Sequence, residues 1–369
     1  MSRLNPRLHH LLQSGLVIPA CPLVLTRSRK LNERRQRALF RYYAAAGAGG
    51  LAVGVHTTQF AIHDSKVGLL QPLLELTVEE IIRADQTRLN PLLRIGGVCG
   101  KTRQALREAM LLRELGYHAG LLSLAAFRSA SERQLLSHCR AVADIIPLIG
   151  FYLQPAAGGR VLPFSLWRRF AEIENVVAIK IAPFNRYQTI EVIRAVAENG
   201  RSDIALYTGN DDNILLDLLT PYRFPASGPS PGRGVLNRGN VPLRAERRIV
   251  GGLLGQWSVW TLKAVELLGR CHHSIEKGSA ISPELLQLNV ELTDANAAIF
   301  DAAHRFAGCI PGIHEVLRRQ GLLEGIWCLD RNETLSRGQA EEIARVCGSY
   351  PHLTDDDFVQ AHLGEWMNG

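Results

Sequence analysis

Short apolar runs alternate with amphipathic stretches from residue 17 to residue 254. The apolar runs cover 17–24, 51–55, 91–98, 118–124, 146–152, 176–182, 204–209 and 249–254. Runs of this length without polar alternation read as strands buried on both faces, as in a parallel sheet. Between them, apolar residues recur at helical spacing over 31–46, from Thr77 onward, and over 101–115, 130–144, 164–173, 187–199 and 212–220. Gly47-Ala48-Gly49-Gly50 and Gly116 end two of these helices, and Thr77 with Glu80 three residues on predicts a capping box. Eight strands alternating with helices at roughly 30-residue spacing predict an α/β fold, a (β/α)8 TIM barrel. An open doubly wound sheet would carry a glycine-rich fingerprint after its first strand, and none follows residue 24. Beyond residue 258 the pattern is helical only, over 258–269, 283–305, 311–321 and 337–347. The predicted organisation is a barrel over 1–257, with a Pro/Gly/Arg-rich insertion at 221–246, and a C-terminal helical subdomain over 258–369.

Composition adds little to this pattern and excludes several classes. Hydrophobic residues make up 46% and charged residues 21% of the chain, the balance of a soluble globular protein. No apolar run reaches the ~18 residues of a membrane span. The N-terminal residues lack a signal-peptide core, so a cytoplasmic protein is expected. The seven cysteines are scattered without a C-x-x-C pair, which predicts free buried thiols rather than zinc or disulfides. Of the net charge of +7, five charges fall within 223–248. That segment lies between the seventh helix and the eighth strand, on the barrel face opposite the one that carries chemistry. A tolerated insertion is the expectation there, and no nucleic-acid partner is expected.

Candidate chemistry centres on Val176-Val177-Ala178-Ile179-Lys180-Ile181-Ala182. The chain holds only six lysines, and Lys180 alone stands in an apolar run. Burial disfavours an ammonium and makes the amine a usable nucleophile; the competing reading is a lysine at a strand end that snorkels to solvent. In a barrel the strand C-termini converge. They would bring together Thr57 and Thr58, Tyr152, Lys180, the Thr208-Gly209-Asn210 end, and Gly251 with Gly252, where backbone could approach a ligand. This set suits imine formation on a carbonyl carbon, with tyrosine moving protons and hydroxyls or amides holding an anion. His56 reads as a structural histidine, and Asp211-Asp212 read as caps of the seventh helix. No ligand cluster is evident, so no metal is predicted.

Four motifs, in order, resemble the dihydrodipicolinate synthase / N-acetylneuraminate lyase family of class I aldolases. His56-Thr57-Thr58-Gln59 matches its strand-two motif. Tyr152-Leu153-Gln154-Pro155 with Gly158-Gly159 matches Tyr-x-x-Pro followed by glycine. Lys180 follows Tyr152 by the family's 28 positions, and Thr208-Gly209-Asn210-Asp211 matches a later strand end. The resemblance implies a Schiff base on Lys180, proton relay by Tyr152 oriented by Thr57, and a keto-acid carboxylate held by Thr58. It further implies pyruvate or another 2-oxo acid as substrate, no cofactor beyond the covalent imine, and a homo-oligomer, dimer or tetramer. Several family positions differ. Ala157 stands where dihydrodipicolinate synthases carry an arginine, Ala125-Ala126-Phe127-Arg128 lacks their tyrosine, and Gln59-Phe60 and Ile181 depart as well. Arg128 is a candidate replacement anion contact. A lyase or dehydratase on another 2-oxo acid is therefore expected rather than lysine biosynthesis; the alternative is an inactive barrel that binds a metabolite or a protein partner.

Overall fold

The computed structural model describes residues 3–225, 244–278 and 280–369. Strands β1 (Val17–Pro19), β2 (Gly50–Val53), β3 (Leu93–Val98), β4 (Ala119–Leu122), β5 (Leu148–Leu153), β6 (Val176–Ala182) and β7 (Ala205–Thr208) run parallel. A short antiparallel ribbon of β8 (Tyr222–Pro225) and β9 (Arg244–Arg247) follows, and β10 (Ile249–Leu254) inserts between β7 and β1. The barrel closes where the Cys21 N–H donates to the Ala52 carbonyl at 2.9 Å, beside a parallel Ala20–Ala52 bridge. The fold is thus the expected (β/α)8 barrel with helices around it and further helices at the C-terminus.

Because successive residues of a strand face opposite sides, the barrel has two cores. Ile95, Leu121, Ile149, Phe151, Tyr207 and Leu253 fill the interior. Tyr152, Ile179 and Ile181 belong to the layer between sheet and helices, with Trp167 and Val192. The outer helices are α2 (Glu33–Ala45), α3 (Leu70–Asp85), α4 (Thr102–Glu114), α5 (Glu132–Ala143), α6 (Phe164–Phe170), α7 (Arg186–Asn199) and α8 (Ile214–Leu219).

A helix absent from the sequence expectation, α1 (Pro6–Ser14), closes the N-terminal end of the barrel. Its Leu12 side chain joins the interior core, and the Tyr207 hydroxyl donates to the Leu12 carbonyl at 2.8 Å. The expected capping box at Thr77 is not a helix start. Helix α3 already begins at Leu70, so Thr77 sits mid-helix and its hydroxyl bonds back to the Leu73 carbonyl at 2.7 Å. Glu80 serves instead as the shared partner of Arg37 (3.0 Å) and Arg41 (2.7 Å) on α2. The ends of the 221–246 segment are not irregular: Tyr222 pairs with Arg247 and Arg223 with Glu246. The Arg247 guanidinium ties this ribbon to the Ser202 and Ile204 carbonyls, just before β7. The rest of the predicted insertion, 226–243, lies outside the described residues.

The C-terminal part comprises α9 (Thr261–Glu276), α10 (Pro283–Ile299), α11 (Cys309–Arg319), α12 (Gln339–Ser349) and the unexpected α13 (Asp356–Asn368). The predicted helix over 283–305 stops at Ile299. There the chain takes left-handed conformations at Asp301, Arg305 and Phe306, and the Asp301 carboxylate holds the turn by accepting from the Gly308 N–H at 2.9 Å. This break carries residues 300–309 across the C-terminal mouth of the barrel. Among the described residues no helix is long and apolar enough to cross a membrane.

Candidate active site at the barrel mouth

Lys180 is the inward residue near the C-terminal end of β6 and is only 6% exposed. Its register partner across the strand pair is Phe151, and its Nζ lies 4.6 Å from the Phe151 ring centroid. Burial drives the amine well below its ordinary value of 10.5, against the pull of the Asp211 carboxylate. The snorkelling alternative does not describe this side chain, which is enclosed. Gly209 on the neighbouring strand end makes the enclosure possible. A Cβ there would stand 2.7 Å from the Lys180 Cε and 2.7 Å from the Ala182 Cβ.

The amine opens into a small cavity of about 50 Å³. Its polar lining comes from His56, Thr57, Gln154, Asp211 and Cys309, and its apolar lid from Phe184, Phe300 and Phe306. Phe184 takes a left-handed backbone at φ +52°, held by its N–H donating to the Asn210 side-chain oxygen at 3.0 Å. Its ring meets Phe306 edge-on at 5.5 Å.

Asp211, which the sequence pattern assigns to capping, lines the cavity instead. The next helix begins only at Ile214, and the Asp211 carboxyl is 8% exposed within the cavity. The Gln256 N–H donates to its Oδ1 at 3.0 Å, and the Asn296 side chain donates to its carbonyl at 2.7 Å. Helix α10 and the Gln256 turn therefore fix its direction. Burial raises the carboxyl above the ordinary carboxylate range, while the Lys180 charge opposes this. His56 also faces the cavity; burial, then the Lys180 charge, pushes its imidazole down to about 4, so it is neutral at pH 7.

The remaining expected site residues lie elsewhere or have other partners. Tyr152 does not face Lys180. It pairs with Ile181, so its ring points outward onto Trp167 on α6 at 5.3 Å, and its hydroxyl accepts from the Leu162 N–H at 3.1 Å. The inward position next to it is Phe151. Thr57 lines the cavity, but its hydroxyl donates to the Ala20 carbonyl at 2.5 Å rather than orienting Tyr152. Thr58 is fully buried. Its hydroxyl donates to the Cys21 carbonyl at 2.7 Å and accepts from the Gly54 and Val55 N–H groups at 3.1 and 3.2 Å. It ties the strand end to the barrel wall and has no donor left for a carboxylate. Gly251 and Gly252 are not at the mouth, because β10 continues to Leu254. A Cβ on Gly251 would meet the Leu16 backbone at 2.6 Å, and one on Gly252 the Trp257 ring at 2.6 Å, so both serve packing. Arg128 is exposed and lines a separate surface cleft with Lys101 and His138.

A larger cleft of about 1080 Å³ runs along the rim past His63, Cys99 and Glu108, without Lys180. There burial opposes charge on His63, but Cys99 and Glu108 outweigh it and lift the imidazole to about 11. The Glu108 carboxylate, 3.1 Å from His63 Nδ1, also accepts from the Cys99 N–H at 2.7 Å. These contacts tie α4 to the β3 end. Among the described residues no group of three or more His, Cys, Asp or Glu is placed to hold a metal ion.

Eight parallel strands around an enclosed amine define a (β/α)8 barrel with a lysine-centred mouth. The chain belongs to the dihydrodipicolinate synthetase family, whose sequence model matches residues 15–221. It is 26% identical over 147 residues to the 4-hydroxy-tetrahydrodipicolinate synthase of Alkaliphilus oremlandii, covering 39% of this chain and 47% of that protein. The chain thus matches about half the length, or less, of such curated relatives. The chloride-inhibited dihydrodipicolinate synthase of Acinetobacter baumannii, complexed with pyruvate, superimposes with a TM-score of 0.69 at 18% identity, covering 92% of this chain and 99% of the other. N-acetylneuraminate lyase from Fusobacterium nucleatum gives 0.67 at 15% identity, over 91% and 99%. At these identities the likeness to the solved structures is one of fold.

Proposed function

We propose that the protein is a lyase or aldolase that forms an imine between Lys180 and the carbonyl carbon of a small 2-oxo acid. The imine then serves aldol cleavage or condensation, or dehydration. The observation that carries this reading is the enclosed Lys180 amine, pushed toward its neutral form by burial and held against Phe151 inside the mouth. A neutral amine can attack a carbonyl, and the resulting iminium draws electrons from the neighbouring C–C or C–H bond. Family membership and the pyruvate complex of the Acinetobacter baumannii synthase support the same substrate class.

The enclosure of the amine under Phe184, Phe300 and Phe306 favours a compact substrate over a long-chain sugar acid. With the Thr57 and Thr58 hydroxyl protons given to backbone carbonyls, the donors for a carboxylate are the Gln154 amide and the His56 imidazole. A cytoplasmic homodimer or homotetramer belongs to the same reading.

The test is incubation with a panel of 2-oxo acids including pyruvate, reduction with borohydride, and peptide mass mapping. A reduced adduct on Lys180, absent from Lys180→Met, is expected. A panel that leaves Lys180 unmodified throughout contradicts the proposal and favours a barrel that only binds.

A further inference from the structure

The imine chemistry proposed above needs a group that gives and takes protons beside the amine, and the tyrosine of the expected relay faces away from it. Among the residues lining the cavity, few can fill the gap. The Thr57 hydroxyl proton is given to the Ala20 carbonyl. Burial raises the Cys309 thiol above its ordinary range, so it is a poor acid. His56 is held neutral and is a weak base at pH 7. Asp211 remains. It shares the cavity with Lys180, is fixed by the Gln256 and Asn296 bonds, and interacts electrostatically with the amine.

We propose that Asp211 is the acid–base residue of this site, taking the place of an inward tyrosine. This rests on Lys180 forming the imine. The neutral Lys180 amine adds to the carbonyl carbon, and the carbonyl π pair moves to oxygen. A proton shift from nitrogen to oxygen gives the neutral carbinolamine. The protonated Asp211 carboxyl then donates to the hydroxyl, which leaves as water while the nitrogen lone pair forms the C=N bond. The Asp211 carboxylate next removes a proton from the carbon beside the iminium. That C–H pair becomes the C=C bond of the enamine, and the nitrogen regains its lone pair. Asp211 ends the cycle protonated, as it began, and water is the only species released.

Burial serves both halves of this exchange. It raises the carboxyl so that it can hold a proton near neutral pH, and it lowers the amine so that it can lose one. The proton affinities of the two groups are thereby drawn toward each other, an arrangement general acid–base catalysis favours. Phe151 on β5 occupies the inward position on one side of Lys180, and the end of β7, the strand on its other side, carries Asp211.

Pyruvate in D2O separates this assignment from the imine reading. Borohydride trapping reports the Lys180 adduct, and proton NMR reports exchange of the methyl hydrogens through the enamine. Asp211→Asn should still accumulate the Lys180 adduct on long incubation but exchange at least about 100-fold more slowly than wild type. Tyr152→Phe should exchange within about twofold of wild type, as should the exposed neighbour variant Asp212→Asn. Should Asp211→Asn fail to fold, Asp211→Ala with added formate gives the same answer, since formate should restore exchange in proportion to its concentration. Exchange within twofold of wild type in Asp211→Asn, loss of exchange in Tyr152→Phe, or no formate rescue overturns the assignment. A wild-type protein that traps no adduct contradicts the imine reading itself.

Discussion

Replacing Gly209 with alanine is expected to move the lysine without touching it chemically. The added Cβ would lie 2.7 Å from the Lys180 Cε, 3.2 Å from the Lys180 Cγ and 2.7 Å from the Ala182 Cβ. Carbon atoms in optimal contact stand about 3.5–4.0 Å apart, so the new methyl intrudes by about 0.8 Å or more. The backbone cannot retreat easily, because the Gly209 N–H donates to the Ile181 carbonyl at 2.7 Å. Ala182 is anchored by its own strand. The lysine stem is the movable party, and its displacement takes the amine away from Phe151 and the cavity. Overpacking of this kind costs about 1–3 kcal/mol, and a catalytic group shifted by about 1 Å loses on the order of 100-fold in rate. The assay is the rate of borohydride-trapped adduct on Lys180 with pyruvate, alongside thermal melting by circular dichroism. Gly209→Ala should fold, melt several degrees lower and form adduct about 100-fold more slowly. A variant that matches the wild-type adduct rate within twofold at an unchanged Tm would refute the role of Gly209 in seating the lysine.

Three further outcomes are expected. The rate of imine formation should rise with pH while Lys180 loses its proton and level off well below 10.5, because burial lowers the folded-state amine; a plateau only at or above 10.5 in trapping experiments speaks against this. Thr58→Val should lower stability by about 1–3 kcal/mol, since it strips partners from the Cys21 carbonyl and two buried N–H groups; a raised KM for pyruvate with an unchanged melting temperature contradicts a purely structural role for Thr58. Glu80→Ala leaves Arg37 and Arg41 without their shared carboxylate between α2 and α3 and should cost about 3 kcal/mol. Denaturant unfolding measures it, and a loss under about 0.5 kcal/mol would show the pair to be solvent-screened.

The barrel was legible because eight largely apolar runs alternating with helical patterns leave few alternatives, and Lys180 was legible because no other lysine stands in one of them. Tyr152 was not, for a reason intrinsic to the pattern. A strand buried on both faces shows no polar alternation, so nothing local says whether Phe151 or Tyr152 points inward. A register difference of one residue reverses every side chain. The β5–β6 pairing shifts register between Leu148 and Ile149, which sets Phe151 against Lys180. Asp211 was hidden differently. In sequence it resembles a helix cap, and its place in the cavity depends on Gln256 and Asn296, 45 and 85 residues further on. The cavity residues Phe306 and Cys309 depend on a helix break at Asp301 that no glycine or proline marks in advance. Gly251 and Gly252 misled because β10 runs on to Leu254, which places them within the strand, where close packing explains them.

Covalent bonding of the enclosed Lys180 amine to a small carbonyl acid is tested most directly by a crystal structure of the protein incubated with pyruvate and reduced with borohydride. Continuous density from Lys180 Nζ to the second carbon of the ligand, under the Phe184–Phe306 lid and beside Asp211, is the expected result. An unmodified Lys180 in an empty mouth, or a ligand attached to another of the six lysines, would contradict it.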